Sequence, residues 1–286
     1  MIRVNKSIKG QSLRSELPLT KEEMWEIAPS IFATHAHESR SDRYGFVSTW
    51  EVLEALREET GLQPFFVAQA GSRSDGKYNH ARHMVRLRQA NEIGNSSANE
   101  VIIHNDSAGG GAYGTTMGYL NGACMNGCVF GEGISTVKIR HNAKAIENVI
   151  EGVYSVVNQT DKVNDSVEAM KSIRLSRMEQ LEFAATSLQL RYDDGKAPIE
   201  PRQIIVPWRA EEEEPTLWNT FQMTQEKLIR GGVKGRVTNP ETRQRRRTTT
   251  RPVNSIGDNF ELNRQLWTLA DCVAAMKQGR SIQVAA

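Results

Sequence analysis

The chain has 286 residues, 38% of them hydrophobic and 24% charged, enough to bury the core of one large domain or two ordinary ones and too apolar for a disordered chain. No apolar run approaches the roughly 18–20 residues that cross a bilayer, the first twenty residues hold no apolar signal core, and three cysteines (Cys124, Cys128, Cys272) fit a reducing cytoplasm rather than a disulfide scaffold. The net charge is only +2, yet Lys227–Arg251 carries +8 from nine basic residues and Glu241, leaving −6 on the other 261 residues, and this polarity points either to a polyanion, most often nucleic acid, or to a solvated loop.

Residues 1–19 read as an N-terminal arm. A short helix follows, with Thr20 and Glu23 at capping-box spacing and Pro29 as its stop. The polar loop His35–Tyr44 offers Arg40, Arg43 and the Tyr44 ring, which suit phosphate contacts and base stacking. The competing reading is a loop pinned by salt bridges to Glu38 or Asp42. A second helix opens at Ser48, with Glu51 as its box partner, buries Val52, Leu53 and Leu56, and ends at Gly61. Pro64–Ala70 and Arg82–Arg88 read as two strands around a turn at 71–76, and Glu100–His104 as a third. The glycines at 109–111 lead into a helix expected from about Thr115 to Cys128. A fourth strand spans Thr136–His141. Ile146, Val149, Ile150 and Val153 then mark a helix over 142–157.

From about residue 161 the pattern is helical. Ser176 and Glu179 form another capping-box pair, ahead of Leu181, Ala184, Ala185 and Leu188. Pro198, Pro201, Pro207 and the acidic run Glu211–Glu214 mark a solvated loop or linker. Thr216–Arg230 is an amphipathic helix stopped by Gly231-Gly232, and a last helix follows Asp258. The cationic segment therefore reads as a loop, over 231–257, between two helices. The fold class is α+β: an N-terminal antiparallel meander packed by helices over 20–160, then a mostly helical region over 161–286.

Strand parity makes the sharpest functional prediction. A period of two puts Arg82, Arg86 and Arg88 on one face of their strand, opposite His83, Val85 and Leu87, and pairs Lys138 with Arg140 opposite Val137 and Ile139. Neither strand contains an acid, so an open cationic sheet face able to track a phosphate backbone is expected, against the alternative of an ordinary solvated face. Lys234, Arg236, Arg245, Arg246 and Arg247 would form a second cationic wall. The Gly109-x-Gly111-x-x-Gly114 spacing formally matches a dinucleotide fingerprint but lacks the supporting βαβ order, so no cofactor is expected. The histidines and Cys124-x-x-x-Cys128 have no zinc-finger spacing, so no metal is assigned, and no catalytic residue is assigned either. Trp218 and Trp267 sit in apolar helical patterns and read as core.

Several stretches carry a resemblance: Ala28-Pro-Ser-Ile-Phe-Ala33, His37-x-Ser-Arg-Ser-x-Arg-Tyr44, His83-Met-Val-Arg-Leu-Arg88, Cys124-Met-Asn-Gly127, Leu217-Trp-Asn-Thr-Phe221, Gln225-Glu226 through Gly231-Gly232, and Leu262–Ala270. Together they resemble the phage- and plasmid-borne family catalogued as domain of unknown function 932, over about residues 20–275. The sequence departs from the usual family pattern at Asn105–Gly111. The resemblance implies a mobile-element setting and hence a bacterial cytoplasm. In organisation alone, the chain is also similar to the single-strand annealing recombinases of the RecT and Redβ type, which hold single-stranded DNA in a basic groove of an oligomeric ring or filament. The leading expectation is an oligomeric single-stranded-DNA-binding or annealing protein with no catalytic centre, no cofactor and no membrane partner. The alternatives are a hydrolase using His35 and His37 with His83 or His104, and an anti-defence protein docking on a host partner.

Overall fold

A computed structural model describes residues 3–7, 10–40, 45–71, 78–95, 97–106, 108, 113–121, 128–129, 137–139, 145–238 and 242–280. The chain divides into two compact units, Met1–Gly122 with Gly133–Thr160 and Asn254–Gly257, and Ala123–Glu132 with Asp161–Val253 and Asp258–Ala286.

The first unit is an antiparallel meander covered by helices. Strands β1 (Arg3–Ser7), β2 (Gly10–Arg14), β3 (Leu62–Ala70), β4 (His83–Gln89), β5 (Ser97–Asn105) and β6 (Tyr113–Asn121) are successive neighbours. The two-residue strand β7 (Cys128–Val129) comes next in the chain, and β8 (Val137–Ile139) pairs with β6. Register fixes the faces: Leu13, Val67, Val85, Ile103 and Thr115 lie in one row across the sheet, and all five are buried. Helices α1 (Lys21–Ile27), α2 (Thr49–Thr60) and α3 (Ala145–Val157) pack on the sheet. The N-caps form where the sequence places them, although Glu51 does not return the reciprocal bond expected of it at Ser48. Thr20 and Glu23 close a reciprocal box at α1. Ser48 accepts from the Glu51 backbone at α2, and Gly61 ends that helix at φ 72°, a left-handed conformation that costs glycine little. In α3, Val149 and Val153 are fully buried.

Two expectations fail here. Residues 10–14 are not an arm. They form a ladder on the edge of β3, from Gly10 opposite Ala70 to Arg14 opposite Phe66, with Leu13 only 3% exposed. One apolar residue in five is too faint an alternation to read, but the β3 edge supplies the hydrogen bonds that hold it. The helix expected from Thr115 is instead β6. Its β-branched and aromatic residues (Tyr113, Thr115, Thr116, Tyr119) favour a pleated surface, and its glycines answer a cross-strand demand. A Cβ on Gly114 would lie 2.1 Å from the His104 ring, and one on Gly118 2.7 Å from Ile102 Cδ1.

The second unit contains most of α4 (Thr160–Ser172), α5 (Arg177–Gln189), the short α6 (Pro201–Ile204), α7 (Leu217–Arg230) and most of α8 (Ile256–Lys277). Ser176 and Glu179 form the box that opens α5. Helix α7 is the unit's core, buried from Leu217 through Ile229 except at Asn219. Trp218, Phe221 and Trp267 pack with ring centroids 5.6–6.4 Å apart, which makes Trp218 and Trp267 core residues. The polar groups that α7 buries are partnered: Gln225 donates to Asn263 at 2.6 Å, and Lys227 donates to the carbonyls of Ile204 and Val206 beneath the Trp208 ring. The acidic run is not wholly a solvated loop. Glu212 is 6% exposed, because Arg209 draws it inward together with buried Glu226.

The cationic segment is not a plain loop. Strands β9 (Lys234–Thr238) and β10 (Arg245–Thr249) form an antiparallel hairpin. Among the described residues no helix is long and apolar enough to cross a membrane.

Candidate nucleic-acid interface

The parity of β4 is as predicted, but its cationic face is not open. Met84, Arg86 and Arg88 share a face, and the next strand brings a counter-charge to it: Ile102 stands opposite Arg86, so Glu100 falls opposite Arg88. Glu100 Oε1 accepts from Arg86 Nη1 at 2.7 Å, and Glu100 Oε2 lies 3.5 Å from Arg88 Nη2. Arg86, Arg88 and Glu100 are 9%, 1% and 2% exposed. Arg88 also donates to the carbonyls of Glu92 and Asn95, and Phe66 and Phe65 lie under Arg86 and Arg88 at 5.3 and 4.5 Å. Burial pulls the Arg88 guanidinium below its ordinary pKa, with Glu100 opposing. This is a buried ion cluster, and charges held inside by a shared carboxylate cannot meet a phosphate backbone. Strand β4 itself contains no acid; the counter-charge sits one strand away.

The other expected contacts are scattered. Arg82 is more exposed and faces Asp106 at 3.5 Å. Arg40 is exposed beside Ser39. Arg43, Tyr44 and Arg140 lie outside the described residues, as does the side chain of Lys138, whose backbone belongs to β8. Four of the described histidines separate into two sets. His35 and His37 meet His80, with ring centroids 5.5 and 5.4 Å away. His83 is fully buried elsewhere, between Ser30 Oγ and Thr49 Oγ1, each at 2.8 Å, so the hydrolase reading loses it as a partner for the loop. Among the described residues no three His, Cys, Asp or Glu converge as a metal-holding group. The Ser30–His83–Thr49–Asn105 chain of hydrogen bonds has no signal in the sequence, since its members come from four separate elements.

The hairpin gathers what the sheet does not. Its register sets Lys234 opposite Thr249, Arg236 opposite Arg247 and Thr238 opposite Arg245. Residues two apart share a strand face, so these six form one face, and all six are exposed. The opposite face carries Gly235 and half-buried Thr248, and Gly235 lies against the Pro198–Ile199 segment. A Cβ on Gly235 would lie 2.0 Å from the Pro198 carbonyl oxygen, and the Arg236 backbone donates to that oxygen at 2.7 Å. Gln203 fixes the same end by donating to the Lys234 carbonyl at 2.8 Å. Arg246 and Val237 lie beyond this seat and stay exposed. Among the described residues none of these cations is ion-paired, whereas Arg209 and Arg230 nearby in sequence are.

Arg236 and Arg247 face each other directly. Cross-strand partners have Cβ atoms about 5 Å apart, and like charges directly opposite are destabilising. A hairpin that concentrates like charge on a seated, solvent-facing ribbon is relieved by an anion with several charges at matching spacing.

A family model described as "Domain of unknown function (DUF932)" matches residues 36–267. The chain belongs to this family. The match takes in both the Arg86–Arg88–Glu100 cluster and the hairpin, and begins after β1, β2 and α1. Two relatives from Escherichia coli (strain K12) are similar along nearly their full length. The UPF0380 protein YafZ is 36% identical over 266 residues, covering 93% of this chain and 95% of its own. The UPF0380 protein YfjQ is 35% identical over 266 residues with the same coverage. No solved structure matches.

Proposed function

We propose that this member of the family is a DNA-binding protein of a phage or plasmid that works in recombination by electrostatic contact, without a catalytic centre. The observation that carries the reading is the hairpin face on which Lys234, Arg236, Arg245 and Arg247 stand exposed and free of ion pairs among the described residues. The open-sheet support for single-strand annealing falls away with the burial of Arg86 and Arg88. The reading therefore rests on the hairpin, with exposed Arg40 as a secondary candidate.

The test is a fluorescence-anisotropy titration of labelled DNA with the wild-type chain and with a variant carrying Gln at 234, 236, 245 and 247. These side chains are exposed, so the variant is expected to fold normally. Wild type should bind at low salt and the variant should lose most of that affinity. Equal binding by both would refute the assignment, and a nuclease-resistant complex with a host protein in place of DNA binding would favour the partner-docking alternative.

A further inference from the structure

We infer that the hairpin is a two-stranded ribbon that enters the major groove of duplex DNA and reads guanine edges through Arg236 and Arg247. This rests on the DNA-binding reading above and narrows it to a substrate class.

Three observations point the same way. First, the element has the right shape. Strands in a ladder lie about 4.8 Å apart and a side-chain-bearing ribbon is about 10 Å thick. The major groove, about 12 Å wide, admits a two-stranded ribbon, and the minor groove, about 6 Å wide, does not. Second, the hairpin has one seated and one outward face. Gly235, with Thr248 opposite it, takes the seat on Pro198 and Ile199, and the outward face shows three cross-strand rows: Lys234 with Thr249, Arg236 with Arg247, and Thr238 with Arg245. Successive rows are about 6.6 Å apart, close to two base-pair steps of about 3.4 Å. Third, the side chains have groove-reading chemistry. An arginine fork donates both bonds to guanine O6 and N7 in a fixed plane, threonine contacts the thymine methyl, and lysine offers a compact charge to phosphate or to a guanine edge. Single-strand binders instead stack bases on aromatic rings, and the sequences Lys234–Thr238 and Arg245–Thr249 contain no aromatic residue.

The central row is the one placed to read bases. Arg236 and Arg247 are mid-strand and directly opposite, so their forks project together while Lys234 and Arg245 flank them.

The experiment uses the full chain. A randomised duplex pool is selected against wild type and against an Arg236→Lys, Arg247→Lys variant, which keeps every charge but loses both forks. The enriched duplex is then titrated intact, with 7-deazaguanine in place of guanine, and as either single strand. Wild type should enrich a guanine-containing motif and bind it more tightly as duplex than as single strand. Removing guanine N7 takes away one of the two bonds of each arginine–guanine fork and leaves O6, so binding should weaken by about 2- to 13-fold per pair. The lysine variant should retain general DNA affinity, discriminate the motif less sharply and respond less than wild type to the 7-deaza change. The absence of an enriched motif, tighter binding to single strands, insensitivity to 7-deazaguanine, or displacement by a minor-groove ligand would each overturn the inference while leaving hairpin-dependent DNA binding intact. If the four-glutamine variant described above binds all probes as wild type does, the parent reading fails as well.

Discussion

Glu100→Gln is the perturbation that most sharply separates a buried ion cluster from an open cationic sheet. Glu100 is shared by Arg86 at 2.7 Å and Arg88 at 3.5 Å, with the Glu100 and Arg88 side chains at 0% exposure and Arg86 at 11%. Removing one partner of a buried ion pair typically costs about 3–5 kcal/mol, because the remaining charge is stranded. Here two guanidiniums are stranded by one change, which places the expected loss at the upper end of that range, out of a total stability of about 5–15 kcal/mol. For a unit of this size the melting temperature should fall by about 8–20 °C. Urea unfolding followed by circular dichroism and intrinsic fluorescence measures the loss. A triple variant, Arg86→Met, Arg88→Met and Glu100→Leu, is the complementary arm: replacing the whole cluster with apolar groups of similar volume should cost little or even stabilise. A Glu100→Gln loss below about 1 kcal/mol, in the range of exposed pairs, would refute the reasoning and return Arg86 and Arg88 to the surface.

Burial holds His83 at about 4, below its ordinary 6.5, with the Ala81 carbonyl partly opposing. The folded state thus prefers the neutral ring, so its contribution is complete above about pH 6.5 and lost as pH falls to about 4, reaching about 3 kcal/mol; denaturation midpoints between those pH values should show this slope, and His83→Gln should flatten it. Gly235→Ala would set a Cβ 2.0 Å from the Pro198 oxygen and unseat the hairpin; titration should show weakened DNA binding with every charge intact. Gly118→Ala meets Ile102 Cδ1 at 2.7 Å and Glu100 Cγ at 2.9 Å, an overpacking that should cost about 1–3 kcal/mol in urea unfolding.

Helix ends are legible in the sequence because capping is local. Thr20 with Glu23, Ser48 with Gly61, and Ser176 with Glu179 each signal an end within a few residues, and each forms. Strand parity is legible for the same reason, which is why Arg86 and Arg88 fall on one face as expected. Their burial is not, because Glu100 reaches them across a ladder. Strand β6 escapes a sequence reading because its glycines look like breakers or helix-packing positions, whereas they clear space for His104 and Ile102 on the neighbouring strand. The hairpin resembles a loop in sequence because a ribbon with one solvated face and a seat at Gly235 has no apolar alternation. The β-branched Val237, Thr238, Thr248 and Thr249 around the Asn239-Pro240 turn signal are the available clue.

Hairpin cations that neutralise DNA phosphates make binding depend on salt, and that dependence is the decisive measurement. The logarithm of the binding constant falls against the logarithm of salt concentration by about 0.7–0.9 for each phosphate neutralised. Replacing Lys234, Arg236, Arg245 and Arg247 with Gln removes about two to four such contacts, so the slope should flatten by about 1.4–3.6. An unchanged slope would contradict the account.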